Sequence, residues 1–229
     1  MDLRETLRTT GAVRQFTDRP VADATLTRVL DTARYAPSGG NRQGWRVIVV
    51  RDPGARRQLR DLYVRGWYEY LAQGAAGLVP WAPLTDREAE AAAIAGSSAF
   101  AEQAAAGPGG FAEHFDEVPA LLLVLADLRT LASVDRDHPR YTFAGGASIY
   151  PFCWSVLLAA REEGLAGVIT TMAIRAEPEV KTLFGVPDEL AVASVIALGY
   201  PEVQPRRLKR LPVAEFTTLD RFDGPTFSG

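Results

Sequence analysis

The sequence predicts one large domain in which helices are mixed with short apolar strands, and three observations point to it. The chain has 229 residues, 47% of them hydrophobic, enough to bury a full core. Pro119 to Ala126 is a continuous apolar run of strand length, the pattern of a central strand. Ile149, Phe152, Cys153, Val156, Leu157 and Ala160 recur at helical spacing, with Pro151 in the tolerated first turn and Gly164 as the stop.

The remaining elements follow in chain order. Leu3 and Leu7 share one helical face, and Gly11 ends that helix before a loop or short strand carrying Arg14. Asp23 is the expected N-cap of a helix running to about Arg34, with Leu26, Val29, Leu30 and Ala33 on its apolar side. Residues 45–50 are a β-branched strand, and Asp52-Pro53-Gly54 opens a helix containing Leu59, Leu62 and Tyr63. From about Trp67 to Phe115 the pattern changes to aromatics, prolines and an alanine-rich stretch, read as a mobile helical excursion over residues 67–115 and a candidate lid. Gly167 to Thr171 is a short strand, Glu177-Pro178-Glu179 opens a helix that closes at Gly185, and Val192 to Leu198 is another strand. The proline-containing remainder has weak periodicity and forms a C-terminal extension at about 202–229, suited to wrapping a partner subunit.

Between the second helix and the first strand lies Ala36-Pro37-Ser38-Gly39-Gly40-Asn41-Arg42-Gln43-Gly44-Trp45. Gly39 and Gly40 let the backbone approach a planar or anionic ligand, while Ser38, Asn41 and Gln43 offer uncharged donors and acceptors. The same residues also suit an ordinary helix-to-strand turn.

Composition excludes several classes of function. A net charge of −3 gives no global basic field for nucleic acid. One cysteine, Cys153, precludes an intramolecular disulfide and falls on a buried helical face as an inert thiol; with only His114 and His138 beside it, no metal site is expected. No apolar run approaches the roughly 20 residues that span a bilayer, and the opening Met1-Asp2-Leu3-Arg4-Glu5 lacks a signal-peptide core. A cytoplasmic protein is expected.

The chain has no nucleophile elbow, no phosphate loop and no dinucleotide fingerprint. Neutral hydrogen-bonding loops, a few arginines and many aromatics are the inventory that accompanies a bound organic cofactor. The order Arg14-Gln15-Phe16, Ala36-Pro37-Ser38 with Asn41, Gln43 and Trp45, Gly146-Ala147-Ser148 before a helix ending in Glu163-Gly164-Leu165, and Gly199-Tyr200-Pro201 resembles the FMN-dependent nitroreductase family. The similarity spans about Leu3 to Pro212.

The resemblance implies an α+β fold: a three-layer α/β/α sandwich on a mixed, mainly antiparallel sheet, a single domain over 1–229, paired as an intertwined homodimer with two flavin sites at its interface. It implies that Ser38, Gly39, Asn41 and Gln43 lie along FMN, and that the strand bearing Gly167, Thr170 and Thr171 presents backbone N–H groups toward flavin N5. Arg14 is placed near the N1/O2 edge, where reduction puts negative charge, and Arg210 near the phosphate. Trp67, Tyr68 and Trp81 would cover the substrate. No side chain need be catalytic, because the flavin N5 carries the chemistry.

The implied activity is an NAD(P)H oxidoreductase reducing nitroaromatics, quinones or similar electron-poor acceptors by a ping-pong mechanism. Alternatives are a flavin-sequestering protein with little turnover, or a specialised flavin enzyme on the same scaffold. Two departures from the family pattern bear on this. A donor-rich triplet before the Val-Arg pair is replaced by Thr10-Gly11-Ala12, which removes two charged phosphate donors; and Gln-Pro-Trp becomes Gln43-Gly44-Trp45, which is expected to loosen the loop.

Overall fold

The computed structural model describes residues 2–227. Met1, Ser228 and Gly229, which fall within the predicted 1–229 domain, lie outside the described residues. In chain order the elements are α1 (Leu3–Thr9), α2 (Asp23–Ala33), β1 (Trp45–Val50), α3 (Pro53–Ala75), α4 (Arg87–Ala95), α5 (Ser98–Ala105), β2 (Ala120–Asp127), α6 (Tyr150–Glu162), β3 (Ala166–Thr170), α7 (Glu177–Phe184) and β4 (Leu190–Gly199).

The four strands form one sheet in the order β1-β2-β4-β3, every neighbouring pair antiparallel. The expected mixed character survives only as an isolated parallel bridge between Ala12 and Gly167 on the outer edge of β3. Every residue of β2 is buried, and its side chains alternate between two cores. Leu122 and Val124 join α2 and α6 on one face; Leu121, Leu123 and Leu125 join α3 and α7 on the other. Helices therefore cover both faces, giving three layers.

Local chemistry explains the element ends. Asp52 accepts from the Ala55 N–H and Pro53 starts α3 with φ already helical. Gly185 ends α7 in the left-handed region, at φ 61°. Asp23 does not cap α2: Ala22 occupies that position without a side-chain bond, and the Asp23 carboxylate pairs with Arg51 instead.

The excursion also differs from expectation. Helix α3 continues through Ala75, so Trp67, Tyr68 and Tyr70 belong to it, and irregular chain is confined to residues 76–86 before α4. Tyr63, Trp67 and Tyr70 recur at i, i+4 and i+7, which puts them on one helical face. Gly66 brings α3 close to the chain after β3, since a Cβ there would lie 2.9 Å from the Met172 carbonyl oxygen.

Two buried aspartates brace the connection from β2 to α6. Asp127 accepts from Arg129 Nε and Nη2 at 2.9 and 2.8 Å, and these bonds hold its pKa down at about 2. Asp135 accepts from the Phe143 N–H at 2.6 Å and from Thr142, Arg140 and the Ala144 N–H, which keep it below the usual carboxylate range. Because both pKa values are depressed by folding, their stabilisation is complete above the ordinary aspartate value and is lost as pH falls through the folded value. Denaturant midpoints are accordingly expected to drop between pH 3.8 and about 2, with Asp127→Asn and Asp135→Asn each flattening that dependence. An unaltered acid slope in both variants would show that other carboxylates set it.

Candidate functional site

The segment after α1 runs beside the free edge of β3. The Val13 N–H donates to the Gly167 carbonyl at 3.0 Å, which fixes Arg14 one residue farther on. Gly167 is required here for space: a Cβ would fall against the Ala197 carbonyl oxygen and 2.6 Å from Leu198 Cδ2. Beyond Gly167 the outer edge of β3 has no strand partner among the described residues, so Ile169, two residues on, turns its main-chain groups to that same edge.

Arg14 is exposed and forms no ion pair among the described residues; its guanidinium lies 5.9 Å from the Phe111 ring centre. Phe111 meets Tyr63 edge-on, Tyr63 stacks on Phe115 at 4.3 Å, and the Tyr63 hydroxyl accepts from Thr170 Oγ1 at 3.3 Å. Burial pushes the Tyr63 phenol up, so it stays neutral at ordinary pH. Arg14, Phe111, His114 and Glu202 are among the residues that line a cleft of 560 Å³.

The Ser38–Gln43 loop is a second, separate cluster. Ser38 Oγ accepts from the Gln43 N–H at 3.0 Å, and Ser148 Oγ accepts from the Gly39 N–H at 3.0 Å. Gly40, Asn41 and Gln43 all have positive φ, near 59°, 52° and 50°. For Asn41 and Gln43 this left-handed backbone costs roughly 1–3 kcal/mol each, the kind of strain found at ligand clamps. Gln43 Nε2 donates to Asn41 Oδ1 at 3.2 Å, leaving the Asn41 amide N–H₂ and the Gln43 carbonyl without a bond to one another. Gly44 does not loosen this loop. Its position is buried, Thr130 Oγ1 occupies the space a Cβ would need, and its carbonyl accepts from the Asp127 N–H at 2.7 Å.

Within one chain the two clusters are apart. The loop feeds β1, Arg14 lies against β3, and these are opposite edges of the sheet, three inter-strand steps or about 14 Å from each other.

The third group is aromatic. Trp67 stacks on Tyr70 at 5.3 Å, Tyr70 meets Trp81 at 6.2 Å, and Arg175 sits 5.0 Å from the Trp81 ring. Trp81 has φ 51°, unusual for a bulky side chain, and its main-chain N–H donates to Oε1 of the fully buried Gln73 at 2.9 Å. Trp81 and Thr171 share a cleft of 490 Å³ with Arg87, Tyr141, Tyr150 and Arg175. Tyr68 is half-buried; burial first, and then the neighbouring Glu113 carboxylate, raise its pKa.

Arg210 is exposed and, among the described residues, bonds only its neighbour's carbonyl, that of Lys209. The tail nevertheless reaches the altered triplet. Leu208 Cδ2 lies 2.7 Å from where a Gly11 Cβ would be, and Gln204 Nε2 donates to the Thr9 carbonyl at 2.9 Å. An arginine at Gly11 would have to push the Leu208 side chain aside. Cys153 is fully buried 3.5 Å from Ser194 Oγ and burial pushes its thiol up, the environment of an inert core residue.

Sequence reasoning placed Arg14, Gly167, Thr170 and the loop residues, and the structure gathers them into two clusters rather than one. It did not single out Tyr63, Phe111, Arg87, Tyr141, Tyr150 or Arg175. The helical spacing of Tyr63, Trp67 and Tyr70 was a usable signal; the two arginines have none, because they meet only through tertiary packing. No helix among the described residues is long and apolar enough to cross a membrane, and none of them form a group of three or more His, Cys, Asp or Glu placed to hold a metal.

The sequence model of the Nitroreductase family matches residues 7–200. The chain is similar to an NADH dehydrogenase of Thermus thermophilus, 28% identical over 211 residues that cover 88% of each protein. Among solved structures it is similar to a BluB-like flavoprotein of Clostridium difficile 630, at a TM-score of 0.68 and 19% identity over 96% of this chain and 100% of that one. It is also similar to an oxidised iodotyrosine deiodinase bound to FMN and 3-iodo-L-tyrosine, at a TM-score of 0.62 and 23% identity over 96% and 100%. These structures share its nitroreductase-like α+β fold, and the family match runs from within α1 to just past β4, taking in the whole sheet and both candidate clusters: the chain belongs to the nitroreductase family.

Proposed function

We propose that the protein is a cytoplasmic, homodimeric FMN-dependent oxidoreductase that takes electrons from NAD(P)H and delivers them to a small electron-poor acceptor in a ping-pong sequence. The observation that carries this is Arg14, which has no ion pair among the described residues and follows Val13, whose N–H is bonded to the outer edge of β3. The donor set fits the cofactor. Arg14 supplies positive charge for the N1/O2 edge, the β3 edge supplies main-chain N–H groups, and Ser38, Gly39, Asn41 and Gln43 supply a neutral, strained clasp. Bound FMN would accept a hydride equivalent at N5 and pass electrons to the acceptor.

The separation of Arg14 from the Ser38–Gln43 loop supports a site completed by a second chain. The tail supports the same reading, since Leu211, Phe216 and Phe222 are 64%, 64% and 100% exposed in the single chain and need a covering surface. The FMN-bound iodotyrosine deiodinase among its structural neighbours is consistent with a specialised acceptor on this scaffold.

The test is direct. The purified protein should be yellow, release FMN on denaturation, run as a dimer by light scattering, and oxidise NAD(P)H in the presence of menadione or a nitroaromatic. Stoichiometric FMN with no turnover of any acceptor would instead make it a flavin-sequestering protein.

Leu208 on Gly11 brings Arg206, Arg207, Lys209 and Arg210 to the segment where two charged donors are missing. Arg210→Ala is therefore expected to weaken FMN about tenfold, the loss of one charge-assisted hydrogen bond, and to leave riboflavin, which has no phosphate, unchanged. Calorimetric titration with both ligands checks this; equal losses for the two would remove Arg210 from the phosphate site.

A further inference from the structure

The cleft between the excursion and the end of β3 has a chemical character that the family assignment does not specify. Trp81, Tyr141 and Tyr150 give it aromatic walls, and Arg87 and Arg175 are the charged residues of its lining, with no carboxylate among the described residues there. Each guanidinium has a carboxylate partner elsewhere. Arg87 Nη1 donates to Glu90 Oε1 at 2.8 Å, and Glu90 is buried; Arg175 Nε donates to Glu69 Oε2 at 3.1 Å, from α3. Neither guanidinium is used up by these bonds. Among the described residues Arg87 Nε and Arg175 Nη1 make no hydrogen bond, while Arg87 Nη2 donates to the Tyr141 hydroxyl at 2.6 Å. Both arginines are about half exposed, at 52% and 46% of their side chains.

The Trp81 wall is held in place. Its left-handed backbone is pinned by the buried Gln73 amide, and Arg175 lies against its ring. A flat ring entering the cleft meets aromatic side chains, and Arg175, over the Trp81 ring, sets N–H donors and positive charge beside them.

We propose that this cleft selects a planar, electron-poor aromatic compound that carries a carboxylate, the ring lying against Trp81 and Tyr150 and the carboxylate bonding Arg87 and Arg175. That the bound ring is an electron acceptor rests on the oxidoreductase reading above; the selection for an anion does not. A guanidinium matches a carboxylate through two parallel N–H···O bonds, whereas a neutral amide of the same shape gains no charge term.

The experiment uses the full chain as purified and two pairs of probes. Benzoate and benzamide are titrated against tryptophan fluorescence, and 4-nitrobenzoate and 4-nitrobenzamide are compared as acceptors with NAD(P)H. Benzoate is expected to bind about tenfold or more tightly than benzamide. That ratio should fall to about threefold or less in Arg175→Gln and in Arg87→Gln, with benzamide binding nearly unchanged, and Arg87→Lys should retain part of it because it still pairs with Glu90. Equal binding of the two probes to the unaltered protein, or equal weakening of both in every variant, would overturn the proposal. Benzoate selectivity with no turnover of either nitro compound or of menadione would uphold the anion-selective cleft and overturn the oxidoreductase reading. Turnover of both nitro compounds at equal kcat/KM, with no benzoate selectivity, would do the reverse.

Discussion

Gly167→Ala is expected to destabilise the protein by roughly 2–6 kcal/mol and to strip it of cofactor, although it adds a single methyl group. The new Cβ would fall on the Ala197 carbonyl oxygen, a backbone atom of the inner strand β4, and 2.6 Å from Leu198 Cδ2. Backbone in a central strand cannot retreat as a side-chain end can, so β3 must move. Overpacking of this kind costs about 1–3 kcal/mol. The buried Val13 N–H then loses its bond to the Gly167 carbonyl, and an unsatisfied buried donor adds about 1–3 kcal/mol. The same bond carries Arg14 to the β3 edge, so FMN retention should fall together with stability. Urea unfolding followed by tryptophan fluorescence, with flavin released on denaturation counted in parallel, measures both. An unchanged urea midpoint in the alanine variant would mean that the β3–β4 spacing is not held as the structure has it.

Arg14→Ala is expected to do the opposite: little to stability, much to the cofactor. The side chain is exposed, has no ion pair among the described residues and touches Phe111 only as a cation over a ring. A surface substitution of this kind changes stability by no more than about 0.5 kcal/mol. Removing a charge-assisted interaction with the anionic reduced flavin costs about 1.5–3 kcal/mol. Across a two-electron couple that is a fall in midpoint potential of about 30–60 mV. The sign follows from the charge: without the cation the reduced, anionic form is harder to make. Arg14→Lys should recover part of the shift. A midpoint potential and a rate of reduction by NAD(P)H that both match the unaltered protein would reduce Arg14 to a surface group.

These two residues show how unevenly the site could be read from residue order. Arg14 stood in a recognisable local string, Arg14-Gln15-Phe16, so its identity was legible although its neighbours were not. Gly167 was legible as part of a short strand, but its reason for being glycine was hidden. Its φ is not positive; the constraint is the approach of β4, thirty residues farther along the chain. Gly44 shows the same limit from the other side. The absence of proline suggested a looser loop, whereas Thr130, distant in sequence, fills the space and holds the loop firm.

What the sequence by itself determined are features set by short-range periodicity and local backbone preference. The strands at 45–50 and 120–127, helix α6 with its proline start, and the Gly185 stop of α7 lie where the pattern places them, because side-chain spacing decides which face can be buried. The family itself was legible because its motifs are local strings in a fixed order. Tertiary structure alone decided the rest. It chose Ala22 over Asp23 as the α2 cap by offering Asp23 an arginine from the end of β1. It carried α3 on to Ala75 by stacking Trp67 on Tyr70 and seating Gly66 against the chain after β3. It also set Leu208 on Gly11 and gathered Arg87 and Arg175 around Trp81 and Tyr150. Contacts between residues this far apart in sequence leave no periodicity in the chain; they exist only once the sheet and its two helical layers have closed.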